Sequence, residues 1–299
     1  MTIITPTKFT HISNTFIDEN LPKFSLEVTY NTGDEVIYKN NIYKCVKDGV
    51  TNLNPVKSSK EWVLMSATNK YKFMDKYITS QSKSDETVEI LIKVDESIDT
   101  IALFNLNAAR CEIIGLDNDE NIKFIKEINL TYKKSRSWWE YFFGKFYYKA
   151  DGVINLDKPF YGNIKIKLYK NKFGASLGHL LVGSKYHLGA TIYSPKIGIL
   201  DYSKVVANDF GDKELFKGKN AKYADLGVAI KNINVDEVRK KLSEVAGTLA
   251  LFIGDERDYG FDSLNIYGFY KDFNILIDSG GMNEYSICQI SIEGVVWWS

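Results

Sequence analysis

The sequence predicts a mainly β protein built in parts: a small three-stranded module, an antiparallel β-sandwich of jelly-roll type, and an α+β unit with one helix on an antiparallel sheet. Three observations carry this. Tyr (19) and Phe (17) are abundant while prolines number five, the composition of strands rather than helices. Apolar residues arrive in short alternating bursts divided by polar turns. Only one segment, 234–247, shows helical spacing with matching start and stop signals.

Residues 1–26 read as an irregular arm. The module follows at 27–68, opening with "YNTGDEVIYKNNIYKC" (30–45), in which two strand-like runs meet at Asn40 and Asn41. A two-residue turn there sets Tyr38 opposite Tyr43 and Val36 opposite Cys45, with all four side chains on one face. Trp62 to Leu64 in "EWVLM" supply a third short strand. A unit of this size buries little apolar surface and should lean on its neighbour.

The sandwich is expected over 69–185, from strand-length runs at 87–94, 100–108, 110–117, 162–170 and 176–183. Inside it lies "SWWEYFFGKFYYK" (137–149), with eight aromatic residues in thirteen positions. Trp138, Trp139, Tyr141, Phe142, Phe143 and Phe146 are too closely spaced for one face of a strand or helix to cover. They are therefore expected to meet a neighbouring subunit or another protein. The α+β unit is expected over 186–299. Its helix has Asn234 as N-cap, Glu237 three residues on, Val235, Val238, Leu242 and Val245 along one stripe, and Gly247 at the C′ position. Strand runs at 221–230, 248–255, 264–278 and 285–296 flank it.

Lys+Arg and Asp+Glu are both 38, so the net charge is zero and nothing favours a nucleic-acid partner. Cys45, Cys111 and Cys288 are odd in number and lack metal-ligand spacing, so no disulfide framework or metal site is encoded and the chain can be made in a reducing cytoplasm. No apolar run is long enough to span a bilayer and the start lacks an export signal, so no membrane insertion is expected.

Candidate chemistry is sparse. His11, His179 and His187 stand near no nucleophile motif, and His179 alternates with apolar residues as a strand histidine does. "DNDEN" (117–121) opens like a calcium loop, but Ile122 and Ile128 occupy the positions that need glycine and glutamate. "GDERDYGFD" (254–262) gathers four carboxylates and one arginine, a set that could hold a metal or a glycosidase acid/base pair; the solvated-loop reading is favoured. No catalytic residue, cofactor or metal is assigned. The rings of Tyr30, Tyr38, Tyr43 and Trp62 could stack on a sugar or simply fill the module. Val36 and Cys45 share the hairpin face with Tyr38 and Tyr43, which favours filling.

Tyr30, Gly33-Asp34, Val36, Tyr38, Tyr43, Cys45, Pro55, Ser58 and Trp62 to Leu64 together resemble the small chitin-binding module of chitinases, over about forty residues. The segment between Cys45 and Pro55 has no aromatic residue where such modules often carry one. Beyond the module, "NKYKFMDKYITSQS", "IALFNLNAARCEI", "GHLLVGSKYHLGATIYSPKIGILDYSK", "DFGD" and "YGFYKDFNILID" resemble virion structural proteins of tailed bacteriophages. The resemblance implies a non-enzymatic structural or adaptor component of the tail, neck or baseplate, made in the host cytoplasm, present in several copies and contacting itself and other virion proteins. The alternative is a glycan-binding adhesin for host attachment.

Overall fold

The computed structural model describes the chain apart from residues 76, 118, 134–136, 193, 208–209, 258–260, 279–283 and 296–299. Its strands are β1 (Thr2–Pro6), β2 (Phe9–Asn14), β3 (Glu35–Tyr38), β4 (Asn41–Cys45), β5 (Trp62–Ala67), β6 (Ser82–Ser84), β7 (Val88–Phe104), β8 (Arg110–Leu116), β9 (Ile122–Asn129), β10 (Thr131–Lys133) and β11 (Phe146–Tyr148). They continue with β12 (Gly152–Tyr169), β13 (Ala175–Leu177), β14 (His179–His187), β15 (Ala190–Thr191), β16 (Lys196–Asp201), β17 (Lys204–Ala207), β18 (Lys213–Phe216), β19 (Asn220–Lys231), β20 (Ala250–Ile253), β21 (Asn265–Leu276) and β22 (Tyr285–Gly294). The α-helices are α1 (Trp138–Phe143) and α2 (Val235–Val245). The protein is mainly β, with a large antiparallel sheet and a helix near the C-terminus.

Among the described residues, thirteen strands join in the order β15-β19-β22-β21-β20-β1-β14-β7-β12-β8-β9, with β16 beside β19 and β2 beside β7. Residues 95–99, whose polar sequence reads as a turn, lie instead within one seventeen-residue strand, β7. Ile98 within it is fully buried and pairs with Phe160 of β12 across two register shifts. Such bulges bend a strand without ending it. The first half of β7 is thereby flanked by β2 and its second half by β14.

The N-terminal segment, expected to be irregular, forms two strands. β1 pairs with β14 on one side, Thr2 to Pro6 facing His187 to Gly183, and with β20 on the other, Thr2 to Ile4 facing Ile253 to Leu251. Ile3 joins the core under α2, and Ile4 joins the core containing Ala102, Phe104 and Leu181. Side chains on both faces are thus buried, and one short strand closes the sheet between its two halves.

Helix α2 buries Val235, Val238, Leu242 and Val245, the stripe its spacing foretells, and Tyr270 Oη donates to the Leu242 carbonyl at 2.7 Å. Gly247 follows in the left-handed region at φ 69°, which costs glycine nothing. Asn234 does precede the helix, but its side chain makes no cap hydrogen bond; a short 3₁₀ turn, Asn232–Asn234, feeds the helix instead.

The hairpin of the small module turns one residue earlier than its asparagines suggest. Tyr38 faces Asn41 and Val36 faces Tyr43, so the loop is Lys39-Asn40 with Lys39 at φ 55°. The Asn40 carbonyl accepts from Thr68 N at 2.9 Å, which ties the turn to the chain after β5. Each pairing is displaced by two residues, so the faces stay as expected. Val36, Tyr43 and Cys45 all point into the module core.

Candidate functional site

The rings proposed for sugar stacking are mostly interior. Trp62 is 2% exposed, Tyr30 5% and Tyr43 7%. Trp62 meets Tyr30 and Phe24 edge-on, with ring centroids 5.1 and 5.7 Å apart, and its Nε1–H donates to the Leu53 carbonyl at 3.1 Å. A stacking platform needs an open face, and only Tyr38 keeps one, half-buried. Its hydroxyl accepts from Asn54 Nδ2 at 2.7 Å, beside an open cleft of about 430 Å³ that Phe24 and Leu26 also line.

The aromatic stretch is arranged in the opposite way. β10 and β11 form a separate two-stranded hairpin, and α1 caps its tip. Ser137 is the N-cap, its hydroxyl accepting from Glu140 N at 3.2 Å. Trp138 is 80% exposed, Trp139 70%, Tyr141 58%, Phe142 65%, Phe143 68% and Phe146 60%. Within α1, Trp138 rests on Phe142 and Trp139 on Phe143, the i, i+4 pairs of a helix. The six residues lie at the tip of this hairpin, all exposed. The sequence 131–149 contains five Lys and Arg residues and one carboxylate, Glu140.

The acidic loop opens onto a cleft of about 560 Å³ lined by Ile192, Pro195, Asp255, Glu256, Phe261 and Leu264, among others. Asp255 pairs with Arg257 at 2.7 Å, which holds its carboxyl well below the usual range. Glu256 accepts from Thr2 Oγ1 and lies 3.2 Å from His187 Nδ1, contacts that outweigh burial and lower its pKa. Asp262, its side chain 84% exposed, lies 3.9 Å from Lys149 Nζ. Asp258 lies outside the described residues.

The other candidates are structural. Asp117 accepts from Asn121 N and binds Lys123 Nζ at 2.7 Å, which makes its loop a closed turn. His179 Nε2 lies 3.1 Å from Tyr267 Oη, and burial pushes its pKa down to about 4. Burial raises the Cys111 thiol to about 12 and the Cys288 thiol to about 11, the opposite of what a nucleophile needs. Among the described residues no group of three His, Cys, Asp or Glu is placed to hold a metal.

One feature escaped the sequence reading: the hairpin β17–β18, which leaves Val205, Val206, Leu215 and Phe216 exposed. Its signal was present as two short runs around the turn residues "NDFGD".

No protein-family description matches the chain, and no curated protein matches it. Among solved structures it is similar to the lectin domain of lectinolysin in complex with Lewis b antigen, at 12% identity and a TM-score of 0.26, over 38% of this chain and 82% of that one. It is also similar to a fucose-binding module of Streptococcus pneumoniae, at 13% identity and a TM-score of 0.25, over 38% of this chain and 83% of that one. Both are carbohydrate-binding modules, and at these scores what they bind stays with them.

Proposed function

We propose that this protein is a non-enzymatic structural or adaptor component of a tailed-phage particle, in the tail, neck or baseplate, and that it works by docking surfaces rather than by a catalytic cleft. The observation that carries the reading is the aromatic tip at 138–146, six rings each more than half exposed on a hairpin of its own. Contiguous apolar patches on soluble proteins mark sites of association. The distributed resemblance to virion proteins supplies the setting. On this reading the chain divides into an N-terminal segment (1–26), a carbohydrate-binding-like module (27–68), a sandwich (69–185) and an α+β unit (186–299). Mass spectrometry of purified particles tests the proposal: the chain should be present in stoichiometric amount, and its absence removes the virion role.

A second reading, glycan-binding adhesin, is favoured by the cleft at Phe24, Tyr38 and Asn54. Tyr38→Ala should then abolish retention on a chitin or host-glycan column while the module stays folded. Unchanged retention, or none by the parent protein, counts against it.

A further inference from the structure

Of the two α-helices, α2 buries four apolar residues and α1 buries none. The strands that carry α1, β10 and β11, pair only with each other, and a three-residue ladder without a core adds little to a fold. Its rings are built for something outside the chain. We propose that α1 is a membrane-contact element, and that Trp138, Trp139, Phe142 and Phe143 enter the boundary layer of an anionic lipid bilayer while Lys145 stays among its headgroups.

Three observations select lipid. The first is geometry: Trp138 lines up with Phe142 and Trp139 with Phe143, centroids 6.2 and 4.3 Å apart, in two adjacent ridges whose rings are 65–80% exposed. A fluid boundary layer closes around such ridges without a preformed groove. The second is composition. Residues 137–148 hold eight aromatic rings and no Leu, Ile, Val or Met, whereas the chain's two largest cores are built chiefly of Ile, Leu and Val. Rings without aliphatic neighbours are the choice of the membrane–water boundary, where flat amphipathic side chains sit at headgroup level. The third is charge. Exposed Lys145 leads into β11, and Lys133 stands opposite Phe146 in the register, so two cationic residues flank the helix end of the hairpin. Glu140, the one carboxylate of 137–149, is half-buried. In a chain of zero net charge this is a locally positive end, complementary to anionic headgroups. Among the described residues no helix is long and apolar enough to cross a membrane, and α1, six residues long, reaches only the boundary layer.

This inference rests on the reading of the tip as a docking surface and is independent of the virion role. Vesicle binding by a chain absent from particles leaves it standing; a particle protein that ignores vesicles defeats it alone.

The test uses the full chain and vesicles of equal parts phosphatidylcholine and phosphatidylglycerol, read by co-flotation. The parent should float with them, less as salt is raised and less again on phosphatidylcholine alone. Trp138→Ser with Phe142→Ser removes one ridge from an exposed site, so the pair should cut the partition coefficient by about tenfold or more with an unchanged far-UV spectrum. Trp138→Phe with Trp139→Phe keeps both ridges. That variant should still float, while the quenching of tryptophan fluorescence by brominated lipid seen in the parent is lost. Lys145→Glu should weaken binding to the mixed vesicles and leave binding to phosphatidylcholine as it is. Ile233→Ser, at a residue 89% exposed and outside the hairpin, should change nothing. A parent that does not float, or a Trp138→Ser/Phe142→Ser variant that floats as the parent does, overturns the proposal. So does a parent that ignores vesicles and forms an oligomer lost on the same two substitutions, since that outcome makes a second copy the occupant.

Discussion

At the scale of single residues, the small module depends on one indole. Trp62 is enclosed by Phe24 and Tyr30 and spends its only donor on the Leu53 carbonyl, so no neighbour can fill its volume once it is cut back. Trp62→Ala should destabilise the module by about 3 kcal/mol or more, read as a lower denaturant midpoint. His179 makes a prediction in pH. Its ring stacks on Tyr267 with centroids 5.2 Å apart, and burial lowers its pKa from 6.5 to about 4. The unfolded chain therefore binds the proton at higher pH than the folded one does. Stability from this group is full above pH 6.5 and falls as pH drops toward 4, by about 3 kcal/mol in all. Urea midpoints across that range should show the slope, and His179→Gln should flatten it; a slope left unchanged would assign the effect elsewhere. That His179 is a strand residue was legible from its alternation with leucines. That it touches Tyr267 was not, since 88 residues separate the two.

At the scale of elements, local periodicity identified what one face of burial produces and failed where burial is two-sided. Helix α2 was readable from its stripe, as were β8, β19 and β22 from alternation. β1 was not, because Thr2, Ile3 and Ile4 are all buried and no alternation results. The polar run in β7 reads as a turn by composition; only its pairing with β12 shows a bulged continuation. The small module's register missed by two residues because Lys39, not an asparagine, takes the positive φ. The density of rings at 138–146 was legible, and the structure leaves all six exposed, whereas the cleft lined by Ile192, Asp255 and Leu264 is assembled from distant segments and has no local signature. One element contact is open to direct attack. A Cβ on Gly183 of β14 would stand 2.2 Å from the Thr5 carbonyl oxygen of β1, so Gly183→Val must push the two strands apart. The expected loss is about 3 kcal/mol, near the upper end for overpacking, with amide exchange rising first in residues 2–6.

At the scale of the whole molecule, the mainly β class and the C-terminal helix were legible from composition and spacing, while the continuity of the large sheet was not. It depends on β1, which belongs to neither half by sequence order and to both by hydrogen bonding. Its position also sets a timetable. Residues 2–6 leave the ribosome well before β20, one of their two neighbours, which ends at Ile253. At roughly 5–20 residues per second, the strand waits some tens of seconds before it can be enclosed. Until then β1 has only its β14 side to pair with, and the native sheet cannot grow outward from β1. Nascent chains halted before Ala250 should therefore be clipped by protease within residues 1–8, and those that extend beyond Gly294 and are released should resist. A segment made well before both of its neighbours is thus among the last to be enclosed.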